Sequence, residues 1–246
     1  MGEALDCLND RLGNTRSRGV DRVTRIYWND QSTQIDHHVL TNTSENSRIL
    51  DVGCGQADKI IQYAQNGRVC TGIDPLFTTS LLPAFLRAEE RKVDIGLALA
   101  AGEHIPFKDG AFDLVLCLST LQHVKDQHLT LLEIRRVLGP EGTLVCSVPT
   151  YRNASTLFRW KGYPDYVTKG YDRASFIDEI KKAGFQITKL EPFGLFPPKY
   201  FGSLQRIDQR VGENVIRGAL ALSYRMGRIC PSGASSLIAV ARPIRT

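Results

Sequence analysis

Short apolar runs separated by amphipathic stretches dominate the middle of the chain. Residues 48–52, 68–73, 93–99, 112–118 and 142–148 each have the length and apolar character of a strand buried on both faces. Helical patterns lie between them, over 58–66, 78–91 and 126–138. The first ends at Gly67. The second contains Pro83, which bends it or delays its start. The third carries Leu129, Leu132, Ile134, Val137 and Leu138 and stops at Gly139-Pro140. Strand and helix in alternation predict a parallel sheet covered on both faces.

The flanks are less regular. Residues 1–45 are polar, with helical spacing across Val20, Val23, Ile26 and Tyr27 and again across Ile35, Val39 and Leu40. They read as two short helices joined by a loop, an N-terminal helical lid on a core of residues 46–246. Residues 150–171 are rich in aromatic and basic side chains. Asp172 suits a helix N-cap, for a helix that runs to about 183 and is stopped by Gly184. Strands are expected at 185–190 and 235–241. Between them Leu204, Ile207, Val211, Val215, Ala219, Leu222, Met226 and Ile229 recur at steps of three and four, the signature of an amphipathic helix over 200–229.

Composition narrows the class. The 246 residues are 42% hydrophobic and 23% charged, ordinary for a soluble globular chain. No apolar run approaches the ~20 residues that span a bilayer, and the first residues lack the basic-then-apolar pattern of a secretory signal. Gly2 is not followed by the hydroxyl residue that N-myristoylation wants. The six cysteines show no C-x-x-C pair and no metal-like spacing, so they read as reduced, mostly buried thiols. A cytoplasmic location and no metal site are expected. The net charge of +5 permits an anionic partner without demanding one.

The chemistry concentrates in Leu50-Asp-Val-Gly-Cys-Gly55, a strand that runs into a turn with two glycines. Glycine there lets the backbone adopt positive φ and approach a ligand, and the next helix aims free N–H groups at the same place. A phosphate-cradling P-loop is excluded by the missing lysine and hydroxyl residue. A dinucleotide loop is disfavoured because Ala57 stands near where a third glycine is wanted and Asp51 lies just before the turn. An acid in that place suits a cationic ligand. Asp74, after the second strand, suits a ribose, since one carboxylate can accept from both hydroxyls.

Five stretches in order and spacing carry a resemblance: Leu50–Gly55, Gly72-Ile-Asp-Pro75, Gly102-Glu-His-Ile-Pro-Phe107, Phe112-Asp-Leu-Val115 and Leu132–Leu144. The segment 48–149 resembles the core of the class I S-adenosylmethionine-dependent methyltransferases, in particular those that act on small molecules such as quinone precursors. The resemblance implies a Rossmann-like, seven-stranded, mostly parallel sheet with helices on both faces and an antiparallel last strand. It implies S-adenosylmethionine as cofactor. Gly53 and Gly55 would line its methionine portion, Asp51 would hold the amino group, and Asp74 the ribose. Ala101, Gly102 and Glu103 would flank the adenine, and Leu118 and Ser119 would approach the methionine end. Ala101 departs from an aspartate frequent in relatives, which leaves adenine recognition to backbone groups and apolar contact. Glu103 and Asp113 have structural readings of equal or greater weight.

The sulfonium is already a strong methyl donor, so most of the protein's contribution to methyl transfer is alignment. A base helps where the acceptor is a hydroxyl. His123, in the loop after the fourth strand, is the candidate, weighed against a role in orienting the next helix. His128 is expected on the outside of that helix. Tyr27 and Trp28 are candidates to cover the cofactor, with packing as an equal alternative, and His37 and His38 are expected in core or surface roles. Acceptor specificity is expected from residues 1–45, 150–171 and 193–231. A small-molecule acceptor is favoured over RNA and over a non-catalytic binding module. For the 200–229 helix, packing on the sheet or in a homodimer is favoured over a membrane surface.

Overall fold

A computed structural model describes residues 22–150, 171–195 and 213–244. Seven strands form one sheet in the order β3-β2-β1-β4-β5-β7-β6. They are β1 (Arg48–Val52), β2 (Val69–Asp74), β3 (Gly96–Leu99), β4 (Phe112–Leu118), β5 (Leu138–Pro149), β6 (Phe185–Phe193) and β7 (Ser236–Pro243). β7 alone is reversed, being antiparallel to both β5 and β6. The helices are α1 (Arg22–Asn42), α2 (Asp58–Ala64), α3 (Leu82–Glu90), α4 (Gln127–Val137), α5 (Arg173–Lys182) and α6 (Glu213–Ile229).

The apolar runs form strands because both faces are covered. One core joins β1, β4, β5 and β7 to α4 and α5 through Leu50, Val115, Leu131, Ile134, Leu144, Phe176, Ile180 and Ala239. The other joins Ile49, Leu114, Leu116 and Val145 to Ile60 and Ile61 of α2, Ala84 and Ala88 of α3 and Ile35 and Val39 of α1. The strand bounds follow the sequence reading closely at β1 and β4. Pro83 does delay α3, which begins at Leu82 after a π-helical turn over Phe77–Leu81. β5 starts earlier than expected: Leu138 leaves α4 in extended conformation and pairs with Phe112, and the register then jumps to Leu114 opposite Thr143. Asp172 caps α5 reciprocally with Ser175, as expected.

Two expectations are corrected. The first is the pair of short N-terminal helices: α1 runs unbroken over Arg22–Asn42. Its polar middle is held by tertiary polar contacts. Gln31 donates to Ser236 Oγ (2.7 Å), Tyr224 donates to Asp30 (2.8 Å), and Lys59 of α2 reaches Ser32. Asp36 accepts from Lys59 (2.5 Å) and from the Tyr63 hydroxyl (2.6 Å). Lys59 and Asp36 are each less than a fifth exposed. Asp36→Ala would leave the Lys59 ammonium and the buried Tyr63 hydroxyl without that acceptor. It is expected to cost about 3 kcal/mol, read as a lower urea midpoint at unchanged slope. An unchanged midpoint would contradict this account of how α1 is docked.

The second correction concerns the apolar stripe of α6. Val215, Ala219, Leu222, Met226 and Ile229 are exposed, whereas the helix packs through Ile216, Leu220, Ser223 and Gly227. Ile216 and Leu220 meet Ile26, Tyr27 and Phe193. Gly227 lies close to the chain at Gly194: a Cβ there would sit 3.0 Å from the Gly194 carbonyl oxygen. Small and polar residues on the buried face make it invisible to an apolar-period reading.

Among the described cysteines Cys54 is half-buried, Cys70, Cys117 and Cys146 are buried, and Cys230 is exposed; none is in a disulfide. No described helix is long and apolar enough to cross a membrane, and no described cluster of His, Cys, Asp or Glu suits a metal.

Candidate active site

Parallel registry brings the glycine turn beside the end of the next strand. Asp51 pairs with Gly72 and Val52 with Ile73. The N–H groups of Gly53 and Cys54 both donate to the Ile73 carbonyl, at 2.8 and 3.0 Å. The chain then turns back on Asp74, whose carboxylate accepts from the Gly55 N–H (3.0 Å) and the Leu76 N–H (2.9 Å). One acid thus fixes both sides of a cleft while leaving lone pairs on each oxygen.

Glycine is required twice here. Gly53 has φ +73°, and a Cβ on it would lie 2.5 Å from the Thr120 side chain. Gly72 has ordinary φ, but a Cβ would meet Cys54 Sγ at 2.6 Å and Ile60 at 2.9 Å. The turn can therefore lie tightly against both the β4 loop and β2. α2 begins from Ala57, itself at φ +61°.

The carboxyl end of β4 supplies the opposite wall. Ser119 has φ +52°, an uncommon conformation for a residue with a Cβ. It is pinned by its N–H to the Ser147 carbonyl (2.8 Å) and by Gln122 Nε2, which donates to the Ser119 carbonyl (2.6 Å). Thr120 donates to the Val52 carbonyl (3.0 Å), which ties this loop to β1. Glu103 Oε1 accepts from the Lys125 N–H (2.8 Å) and the Asp126 N–H (3.3 Å), joining the β3 and β4 loops. Arg136 gathers the β3 loop from behind. It donates to the Ile105 and Phe107 carbonyls and pairs with Glu133 and Asp109.

These loops enclose a cavity of about 820 Å³ at the carboxyl edge of the sheet. Gly53, Asp74, Ala101, Gly102, Glu103, Ser119 and His123 line it. Asp51, Gly55 and Leu118 are not among its lining residues: Asp51 sits one layer deeper, at 5% exposure, and Gly55 lies behind Asp74 as its donor. Pro75, Leu76, His104, Thr120, Val124, Lys125, Asp126 and Leu129 also line the cavity and were not singled out by sequence. The motifs pointed to the loops but not to which residues in them face inward. His123 is exposed at this cavity.

Other candidates fall elsewhere. Tyr27 packs edge-on against Phe193 and bonds Ser235 (2.6 Å), so the packing alternative holds; Trp28 is exposed. His38 is buried against Glu191 (2.7 Å), and His128 lies outside against Glu179 (3.2 Å). Asp113 is bound by Arg48, whose hydrogen bond holds its carboxyl below the usual range. α1 lines no part of the cavity. Residues 1–21, the segment 151–170 and residues 196–212, which hold the first part of the helix expected over 200–229, lie outside the described residues.

The electrostatics favour a cation. Burial, then the Asp74 charge, pushes the Asp51 carboxyl up to about 7, with Lys59 partly opposing. Burial and the same two acids push the Cys54 thiol well above its ordinary range. Two buried acids without an adjoining phosphate-binding lysine in the turn would repel a pyrophosphate. A cavity of this size, with a hydroxyl-accepting acid and space that a side chain at Gly53 would fill, fits the ribose and the ammonium and sulfonium groups of S-adenosylmethionine.

Comparison with known proteins agrees. The family model described as a methyltransferase domain matches residues 50–146. A tRNA U34 carboxymethyltransferase of Nautilia profundicola is 35% identical over 102 residues, covering 41% of this chain and 34% of that protein. A demethylmenaquinone methyltransferase of Staphylococcus epidermidis is 30% identical over 154 residues, covering 58% of this chain and 63% of that protein. This chain therefore spans about a third to under two thirds of those relatives. The solved structure of the [4+2]-cyclase SpnF superposes with a TM-score of 0.68 at 22% identity, covering 97% of this chain and 93% of that one. Residues 50–146 match the methyltransferase-domain family model, and the chain around them completes a seven-stranded fold shared with that solved structure.

Proposed function

We propose that the protein transfers a methyl group from S-adenosylmethionine to a small-molecule acceptor. The observation that carries this reading is the acid pair at the glycine turn: Asp74 at the cavity wall with Asp51 buried behind it. When bound, the cofactor supplies an electrophilic methyl on a sulfonium. Asp74 accepts from the ribose hydroxyls while its own backbone donors keep it in place. Asp51 compensates the ammonium end, Gly53 and Gly55 let the backbone come close, and Ala101, Gly102 and Glu103 form the adenine side. Leu118 and Ser119 end β4 at the methionine side, where the pinned Ser119 carbonyl sets the edge of the acceptor space. Alignment of the acceptor against that edge supplies most of the rate.

His123 is the residue we assign to take the acceptor's proton when that acceptor is a hydroxyl. His123→Ala is expected to leave cofactor affinity within about twofold and to lower turnover by about 10². Both are read by calorimetry and by release of the demethylated cofactor. Unchanged turnover would remove His123 from the chemistry.

The fold does not carry the reaction by itself, since a cyclase shares it. The acceptor class rests on the demethylmenaquinone methyltransferase relative and on the mostly apolar lining of the cavity. Incubation with methyl-labelled cofactor, a metabolite extract and, separately, total tRNA decides it. Label in small organic molecules is the expected result; label only in tRNA would replace this acceptor class with RNA.

A further inference from the structure

We infer that α6 docks the protein on an anionic lipid surface. The exposed residues of its apolar stripe are large: Val215 is 64% exposed, Leu222 59%, Met226 41% and Ile229 83%. At ~100° per residue they share one arc about 60° wide, well separated from the buried face of Ile216, Leu220 and Gly227. The helix therefore has two apolar faces, of which the described residues cover one. An interfacial helix needs such a second face with cations beside it.

The charges select the occupant. Arg225 and Arg228 follow on the exposed polar face, and no acidic residue occurs between Asn214 and Ile229. A second copy packed through the same stripe would offer these arginines no carboxylate, since residues 214–229 hold none. An anionic headgroup layer complements them. The chain's net charge of +5 acts in the same direction.

Placement gives the contact a purpose. The stripe ends at Ile229, and a short turn leads to β7, whose first residue Ser236 pairs with Pro149 and Phe193 at the carboxyl ends of β5 and β6. The cavity opens at that same edge of the sheet. Seated on α6, the protein would hold its catalytic edge beside the lipid headgroups, where an amphiphilic acceptor resides. The docking itself stands independently of which acceptor is methylated.

Flotation of the full chain with phosphatidylcholine vesicles, with and without phosphatidylglycerol, tests this. Wild type should float with the anionic vesicles and stay behind with the neutral ones. Leu222→Glu with Ile229→Glu should lose the association, and Arg225→Gln with Arg228→Gln should weaken it about 30-fold. All these side chains are exposed, so circular dichroism and thermal midpoints should be unchanged. No flotation of wild type with anionic vesicles would overturn the inference. So would a wild-type dimer in the ultracentrifuge that Leu222→Glu converts to monomer, since the stripe would then be a contact between copies.

Discussion

Asp74→Ala should weaken S-adenosylmethionine binding by about 10² or more, the largest effect expected of any single side chain in the cavity. The carboxylate accepts from the Gly55 and Leu76 N–H groups and, in the proposed complex, from two ribose hydroxyls. A charge-assisted bond contributes roughly 1.5–3 kcal/mol, and two lost together account for that factor. Removing the acid also frees the two backbone donors that shape the cleft. Asp74→Asn separates these contributions: its single carbonyl oxygen can satisfy only one of the two backbone donors, and its amide presents hydrogens toward the other. It should therefore be nearly as damaging as alanine. Calorimetry reads both. Affinity within threefold of wild type for either variant would move the ribose site elsewhere.

Asp51 should make the protein's stability and its cofactor affinity depend on pH in opposite senses. Its carboxyl, ordinarily near 3.8, is pushed up to about 7 by burial first and then by Asp74. Between those values the folded protein holds a proton that the unfolded chain has lost. The native state binds more protons, so unfolding free energy falls as pH rises, by about 1.4 kcal/mol per pH unit for this one group. The trend should stop above about 7, where both states are ionised. Cofactor binding runs the other way. The carboxylate form attracts the ammonium from the layer behind the cavity wall, so affinity should rise as pH climbs toward that value and level off beyond it, with a proton released on binding below it. Asp51→Asn removes the titration. Its urea midpoint should be flatter across this range than that of wild type, and its cofactor affinity both lower and less sensitive to pH. Parallel pH profiles for wild type and Asp51→Asn would show that this acid is not the linked group.

Much of the sheet was readable because its strands are buried on both faces. Residues 48–52 and 112–118 leave no alternative to a strand once covered by α2, α3 and α4. α1 was broken in two by its polar run 29–34, which is helical because Gln31, Ser32 and Asp30 find partners on β7, α2 and α6. Such partners are distant in sequence and leave no local signal. α6 was misassigned in facing, not in existence. Its apolar period marks the exposed stripe, while Ser223 and Gly227, neither of which reads as core, are on the side that packs.

The site divides in the same way. Gly53 and Asp74 were legible because turn geometry and an acid at a strand end have few other uses. The depth of Asp51 was not, since burial is a property of the packed sheet. Nor was the clamp around the cavity loops. Glu103 bonding the Lys125 and Asp126 N–H groups, Gln122 holding the Ser119 carbonyl and Arg136 behind the β3 loop are tertiary contacts. Glu103 shows why a residue in a motif need not touch the ligand through its charge: its bonds to the Lys125 and Asp126 N–H groups serve the scaffold.

The central claim is that the acid-flanked glycine turn seats a sulfonium nucleoside and not a phosphate-bearing one. Titration calorimetry of the full chain with S-adenosylmethionine, and in parallel with NAD and ATP, tests it most directly. One-site binding of S-adenosylmethionine with no measurable heat from the other two is the predicted result; binding of NAD or ATP as tight as that of S-adenosylmethionine would contradict it.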